Sequence, residues 1–340
     1  MKTGILLINL GTPKSPSKKS VRAFLKAFLS DPKVIDLPAP VRWLLLNTII
    51  LPFRTRKSAH AYQQIWTKEG SPLHVHSFAL SKKLRLTLDS HYTVEFAMRY
   101  GQDTIKQALK NLRRQACEKI IILPLFPQYA EATTGSIMNC IFDELKNWPV
   151  VPHLDIINDF FSRPEFINAS AAVYKEATQD FKPDYILFSY HGLPFRQITR
   201  AYKFCSRCDL QNACPSISAN NRFCYRAQCY QTSRLLAAAM GLNENQYGTA
   251  FQSRLGRVQW TPPYTEEVLP LLAKQDIKNL AIACPAFIAD CLETLEEIGI
   301  RAEQQWHELG GESFKLIPCV NEHDAWVTGL RDLLIKSASR

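Results

Sequence analysis

The stretch Ile5-Leu6-Leu7-Ile8-Asn9-Leu10-Gly11-Thr12-Pro13 decides the fold. An apolar run that ends abruptly on a Gly-Thr-Pro turn reads as a strand covered on both faces, since neither face needs alternating polar residues. Runs of the same kind recur at Thr93 to Met98, Ile120 to Pro124, Tyr185 to Tyr190, Tyr247 to Gln252 and Leu280 to Cys284. Helix-periodic segments separate them. Strands that alternate with amphipathic helices specify an α/β doubly wound architecture, a parallel sheet flanked by helices.

The opening stretch has an echo. Leu7-Ile8-Asn9-Leu10-Gly11-Thr12-Pro13 lines up with Phe188-Ser189-Tyr190-His191-Gly192-Leu193-Pro194. Phe96-Ala97-Met98-Arg99-Tyr100-Gly101 lines up with Phe251-Gln252-Ser253-Arg254-Leu255-Gly256, and Ile122 to Phe126 with Ala283 to Phe287. Matches that keep one order predict two similar Rossmann-type domains. Working outward, the domains are expected over residues 1–150 and 151–325, followed by a C-terminal helix over 326–340. Ligands of such folds bind beyond the carboxyl ends of the strands. Gly11, Arg99, Pro124, His191, Arg254 and Pro285 stand at those ends, so the active site is expected in a cleft between the halves.

Composition narrows the partners. The chain has 340 residues, 46% hydrophobic and 21% charged, which suits a globular protein with well-formed cores. Its net charge of +10 is diffuse, with no basic run and no zinc-finger, RRM or helix-turn-helix signature, which argues against a nucleic-acid partner. An acidic small molecule or an anionic membrane surface fits better. Met1-Lys2-Thr3-Gly4 leads directly into the first strand without a signal-peptide pattern, so a cytoplasmic protein is expected. The longest nearly uncharged apolar stretch, Trp43 to Phe53, is too short to span a bilayer. In a reducing compartment the ten cysteines read as core residues or metal ligands rather than disulfides.

Three groupings carry candidate chemistry. His191 leaves a strand end on a glycine turn, where a neutral imidazole can accept a proton or bind a metal. Asp290, Glu293 and Glu297 are spaced by three and four, so a helix puts them on one face, with Leu292, Leu295 and Ile298 on another. An imidazole opposite a carboxylate stripe suits metal handling coupled to proton transfer. Trp260, Phe287, Tyr129, Tyr100 and Trp66 lie near strand-end loops and would wall a flat apolar ligand, while Arg99 and Arg54 would meet its carboxylates.

With these motifs assembled, the chain resembles the ferrochelatases. Ser189-Tyr190-His191-Gly192-Leu193-Pro194 is similar to their histidine motif, and Asp290-Cys291-Leu292-Glu293-Thr294-Leu295-Glu296-Glu297 to their acidic-helix motif. Phe251 to Gly256 with Trp260, Leu7 to Pro13, and Pro127-Gln128-Tyr129 with Thr133-Thr134-Gly135-Ser136 extend the likeness from about residue 3 to about residue 330. The resemblance implies a chelatase-like fold and insertion of Fe²⁺ into protoporphyrin IX. It carries His191 and Glu293 over as the iron-site pair, with Glu297 and Asp290 as the rest of the acidic path. Arg54, Tyr62, Ser71, Arg99, Tyr100, Trp260 and Phe287 match porphyrin-side positions, and Val41 to Phe53 matches an apolar lip over the pocket. Chelation of another tetrapyrrole or metal, such as coproporphyrin with iron or a cobalt chelatase, stays open. So does porphyrin carriage without turnover, although a carrier has no use for the acidic stripe. Nothing in the sequence specifies an oligomeric state.

One segment departs from the common family pattern. An insert over residues 203–226 contains Cys205, Cys208, Cys214 and Cys224 before Gln228-Cys229 rejoins the usual helix entry. Four thiolates in one short polar loop close on a metal centre at little cost in chain entropy and would order a loop that cannot order itself. The insert resembles that of bacterial family members with an internal iron–sulfur cluster, so a [2Fe–2S] centre is expected, with structural zinc as the rival. The lip segment has its own pair of readings: a buried helix of the first domain, or a peripheral contact with the inner face of the membrane.

Overall fold

The computed structural model describes residues 2–201, 210, 212–254, 256 and 258–338. They form two compact units. One comprises the chain up to Phe126, Ala130–Asp159 and the residues from Val327 on; the other comprises Pro127–Tyr129 and Phe160–Trp326.

Each unit contains a four-stranded, all-parallel sheet. The first holds β1 (Thr3–Gly11), β2 (Tyr92–Tyr100), β3 (Lys119–Pro124) and β4 (His153–Ile156) in the order β2-β1-β3-β4. The second holds β5 (Tyr185–His191), β6 (Tyr247–Gln252), β7 (Asn279–Ala283) and β8 (Ser313–Leu316) in the order β6-β5-β7-β8. Identical topology at both places is the duplication that the repeat predicts. The ladders are not superposable residue for residue, however. Leu7 faces Phe96, whereas Phe188 faces Thr249, two positions before Phe251. A slip of two keeps every side chain on its own face, so the core pattern survives it.

The deciding stretch is buried as its composition requires: Ile5, Leu6, Leu7 and Ile8 are each 0% exposed. Leu6 and Ile8 pack with Ile105, Leu109, Leu112, Ile120, Ile122, Ile137 and Ile141. In the second unit Leu187, Ala250, Leu269, Leu280, Ile282, Ile298 and Trp306 form the corresponding cluster. β4 and β8 were not foreseen. Each has four residues on a sheet edge with none buried, so neither produces an apolar run.

Two expectations need revision. The boundary expected at residue 150 lies at 159/160, because β4 completes the first sheet by pairing with β3. The C-terminal residues belong to that same unit: Lys119 Nζ donates to the carbonyls of Ser337 and Ala338, and Ser337 Oγ to Asp155. Of the two readings of the lip segment, the buried helix is the one that its exposure does not fit. It forms a helix Ala39–Leu45, a π-type turn Leu46–Ile50 and the start of a helix Leu51–Ile65. Leu46 and Leu51 anchor it, while Trp43, Ile49 and Phe53 are 64%, 55% and 75% exposed. No described helix is long and apolar enough to cross a membrane.

Candidate active site

His191 is the last residue of β5, half-buried at its carboxyl end. Its Nδ1 lies 2.6 Å from the carbonyl oxygen of Gly192. A carbonyl can only accept, so Nδ1 carries the proton and the lone pair resides on Nε2. The ring is flanked by Trp260 and Phe287, each with its centroid 6.4 Å away. Gly192 makes this arrangement fit: it donates to Gln252 O at 2.8 Å, and a Cβ there would stand 2.9 Å from that oxygen and 3.3 Å from the Trp260 ring.

Glu297 is gripped from the end of β6. Ser253 donates to its two oxygens, through the amide at 2.7 Å and through the hydroxyl at 2.6 Å. To present both donors Ser253 adopts φ +67°, a left-handed conformation that is strained for any residue with a Cβ. Burial pushes the Glu297 carboxyl above the usual carboxylate range; the Ser253 hydroxyl, the neighbouring His191 and Arg301, and the Ser253 amide pull the other way. A small cavity of about 90 Å³ adjoins it, lined by Ser253, Arg254, Glu297, Arg301 and Gln305 among others.

Glu293 opens a π-type helix, Glu293–Ala302, and its main chain is tied to the sheet: Gln252 Nε2 donates to Glu293 O at 2.8 Å. Gln252 in turn accepts from the buried Ser189 hydroxyl at 2.7 Å. Gln252, Ser189 and Ser253 thus set the height of the acidic helix against the strand ends. Their role had no signal in the sequence beyond membership of the quoted motifs.

The acidic stripe is shorter than expected. Asp290 does not share the face of Glu293 and Glu297: it precedes the helix, is 6% exposed, and accepts from Thr294 Oγ1, Asn321 Nδ2 and the Cys319 amide. The buried face is Thr294, Ile298 and Ala302, with Leu292 and Leu295 only half-buried. A π-type helix winds more slowly than the 3.6-residue period assumes, which displaces the expected apolar stripe.

The remaining predicted ligand positions lie in the first unit. Arg99 already has a carboxylate: its Nη2 meets Asp31 at 2.7 Å and its Nε donates to Ser136 Oγ at 2.7 Å. Tyr100 donates to the same Asp31 at 2.8 Å. Burial alone would raise the Asp31 carboxyl, but donation from Ser136, the Lys33 amide and Tyr100, with the Arg99 charge, holds it below the usual range. Ser71 is buried and accepts from Thr12 Oγ1 at 2.7 Å; Tyr62 is buried with its ring edge-on to Phe24 and Trp66. Arg54 is half-buried and makes no hydrogen bond or ion pair among the described residues.

Of the four insert cysteines, Cys205 and Cys208 lie outside the described residues. Cys214 and Cys224 are 6% and 3% exposed and unbridged. Arg226 Nη1 donates to Cys214 Sγ at 3.2 Å. The Cys229 thiol, fully buried, is pushed well above the usual thiol range by burial. Among the described residues no group of three or more His, Cys, Asp and Glu side chains is placed to hold a metal ion.

With this geometry in view, the comparisons with known proteins are informative. A profile of the Ferrochelatase family matches residues 2–338. The ferrochelatase of Coxiella burnetii (strain CbuK_Q154) is 48% identical over 336 residues, spanning 99% of this chain and 94% of the relative. That of Legionella pneumophila subsp. pneumophila (strain Philadelphia 1) is 48% identical over 336 residues, 98% of this chain and 99% of the relative. Among solved structures, SirB from Bacillus subtilis with Fe³⁺ has a TM-score of 0.57 at 13% identity, covering 100% of this chain and 96% of that one. The sirohydrochlorin chelatase SirB from Bacillus subtilis subspecies spizizenii, in complex with cobalt, has a TM-score of 0.56 at 10% identity, with the same coverage. At these identities the two structures establish a shared chelatase fold.

Proposed function

The chain belongs to the ferrochelatase family, and on that premise we propose that it inserts Fe²⁺ into protoporphyrin IX to form protohaem, the terminal step of haem biosynthesis. The reaction exchanges two pyrrole N–H protons for one dication, so the site must present a metal ligand and a proton acceptor together. The observation that carries the reading is the hydrogen bond of His191 Nδ1 to Gly192 O, which leaves the Nε2 lone pair unused on an imidazole with Trp260 and Phe287 as neighbours. Fe²⁺, the substrate metal, enters as a ligand of His191 Nε2 and Glu293. As the two N–H bonds break, their electron pairs become Fe–N bonds, and the protons pass one at a time to Glu297, which releases the first to solvent before it takes the second. Burial raises its affinity for a proton above that of an ordinary carboxylate, which suits it to receive one and pass it on. Asp290 supports the helix start rather than handling protons, in keeping with its buried hydrogen bonds. Trp260 and Phe287 supply surfaces for the flat macrocycle. Arg54 is the cation we assign to a propionate, since Arg99 is held by Asp31; Tyr62, Ser71 and Tyr100 then stiffen the porphyrin-side wall. Anaerobic assay of haem formation from porphyrin and Fe²⁺ tests the whole scheme: a wild-type protein that leaves protoporphyrin unmetalated would refute it.

We assign Cys205, Cys208, Cys214 and Cys224 to a [2Fe–2S] cluster. The fit rests on Cys214 and Cys224, both buried and unbridged, and on the Arg226 guanidinium that donates to Cys214 Sγ. Cys229 stays outside the set because it stands at the usual helix entry of the family, beyond the insert. When bound, the cluster would supply structural order, since porphyrin metalation needs no electron transfer. Protein purified without oxygen and found to hold equimolar zinc and no visible cluster absorption would replace this assignment by a zinc site. We further assign the exposed side chains of Trp43, Ile49 and Phe53 to shallow insertion at the cytoplasmic face of a membrane, where an apolar porphyrin would be taken up.

A further inference from the structure

The helix Tyr225–Met240 begins with three consecutive residues that face different tasks. Cys224, its cap, is an assigned cluster ligand. Tyr225, 7% exposed, donates its hydroxyl to the main-chain oxygen of His191 at 2.7 Å. Arg226, 1% exposed, reaches in the opposite sense: beyond Cys214 Sγ, its Nη2 donates to the carbonyls of Asn212 at 2.9 Å and Leu210 at 3.3 Å. Its Nε donates to Pro262 O at 3.1 Å, two residues beyond the Trp260 that flanks the His191 ring. Arg234, two turns along the same helix, adds donation to the Cys214 carbonyl at 2.8 Å.

These contacts leave little slack. Residues 224–230 are all buried, so the first two helical turns cannot shift without carrying their partners along. The carbonyl that Tyr225 holds belongs to the peptide that joins His191 to Gly192, and Gly192 O is the acceptor that fixes the imidazole tautomer. A displacement at Cys224 therefore reaches the His191 imidazole through one side chain, Tyr225, and one peptide; from Cys214 it passes through Arg226 as well.

We propose that Tyr225 is a positioning residue for His191, and that the cysteine insert, by holding Cys224 and Cys214 to one metal centre, sets the position of the helix start from which Tyr225 acts. Metal occupancy of the insert thus controls how well the iron-accepting imidazole is placed, without any electron passing between them. This rests on the cluster assignment above.

The experiment compares wild type and Tyr225→Phe, each with the cluster intact and after its removal by chelator, with iron, sulfide and zinc measured first. Hydrogen exchange is read by mass spectrometry over residues 185–194, with residues 3–11 of the first unit as a control for general unfolding. In wild type, cluster removal should speed exchange around Gly192 about tenfold, the change expected for loss of one hydrogen bond, while the control segment stays protected. Tyr225→Phe should keep full cluster absorption yet exchange fast already, with no further change on removal. Its KM for Fe²⁺ should rise roughly tenfold with the porphyrin KM unmoved, a split that a loss of general stability would not produce. Slow exchange that survives both cluster removal and Tyr225→Phe overturns the coupling with the cluster assignment intact. Purified protein that contains neither iron, sulfide nor zinc overturns the cluster assignment and the coupling with it.

Discussion

Replacing Ser253 by alanine should move the acid limb of the metalation rate upward. The substitution deletes one contact, the 2.6 Å hydroxyl hydrogen bond to Glu297 Oε2, and keeps the 2.7 Å amide bond to Oε1. Serine and alanine both carry a Cβ at φ +67°, so the left-handed strain is common to them. A hydrogen bond to an ionised group contributes about 1.5–3 kcal/mol, and one pKa unit is about 1.4 kcal/mol, so the Glu297 carboxyl should rise by about one to two units. The sign follows from the role. Glu297 accepts a pyrrole proton only when ionised, so activity grows as pH passes its pKa, and a higher pKa displaces that growth to higher pH. The assay is the initial rate of Fe²⁺ insertion into protoporphyrin, without oxygen, followed as kcat/KM from acid to alkaline pH. Stability carries a matching signature. Below the ordinary carboxyl value of 4.5 the group is protonated in both folded and unfolded chains, so the variant's Glu297-linked deficit is absent there and grows as pH rises through the raised folded value. An acid limb that stays in place in Ser253→Ala, in an enzyme that Glu297→Gln inactivates, would refute Glu297 as the acceptor tuned by Ser253.

Other perturbations follow from single contacts. His191→Ala should lower kcat for metalation by roughly a hundredfold or more while the urea midpoint changes little, because the ring is half-buried and, among the described residues, its aromatic neighbours are Trp260 and Phe287; retained turnover would sink the iron-site assignment. Serine at Trp43, Ile49 and Phe53 together should abolish co-sedimentation with anionic vesicles, since each apolar side chain contributes about 1.5–3 kcal/mol when buried, and should leave the melting temperature unchanged, since all three are exposed. Asp31→Asn should destabilise the first unit by about 3 kcal/mol, the cost of leaving a partly buried cation without its carboxylate, measured as a lowered urea midpoint.

What the sequence conveys and what it conceals divide along physical lines. The central strands announce themselves because burial on both faces demands unbroken apolar runs, as in Ile5 to Ile8. The edge strands β4 and β8 stay hidden because no such demand acts on them. His191 is visible from its glycine turn, and Glu293 and Glu297 from their spacing. Asp290 misleads, because a carboxylate at a helix entry looks the same in sequence whether it turns outward to a ligand or inward to Thr294 and Asn321. The pairing of Arg99 is hidden for a related reason: its partner Asp31 is 68 residues distant, beyond the reach of any local pattern. Ser253 and Tyr225 act through backbone geometry, one by a left-handed φ and the other on a main-chain oxygen, and residue type alone encodes neither.

The duplicated fold explains why only one half is assigned the chemistry. Aligned on the opening stretch, Leu10 stands where His191 stands, so the first sheet ends without an imidazole. Each half nevertheless anchors one carboxylate at a strand end, and the two are tuned in opposite directions. Asp31 receives donors from Ser136, Tyr100, Arg99 and the Lys33 amide, and is held below the usual range. Glu297 receives two donors from one serine, with Arg301 3.9 Å away, and burial keeps it above that range. A carboxylate held below the usual range pins Arg99 and Tyr100 in place and takes up a proton less readily. One poised higher can gain and lose a proton as metal replaces hydrogen in the macrocycle. The same topology thus holds its acidic group low in one copy and high in the other, according to how many donors converge on it, and the second tuning is the one that the proton-handling role proposed for Glu297 requires.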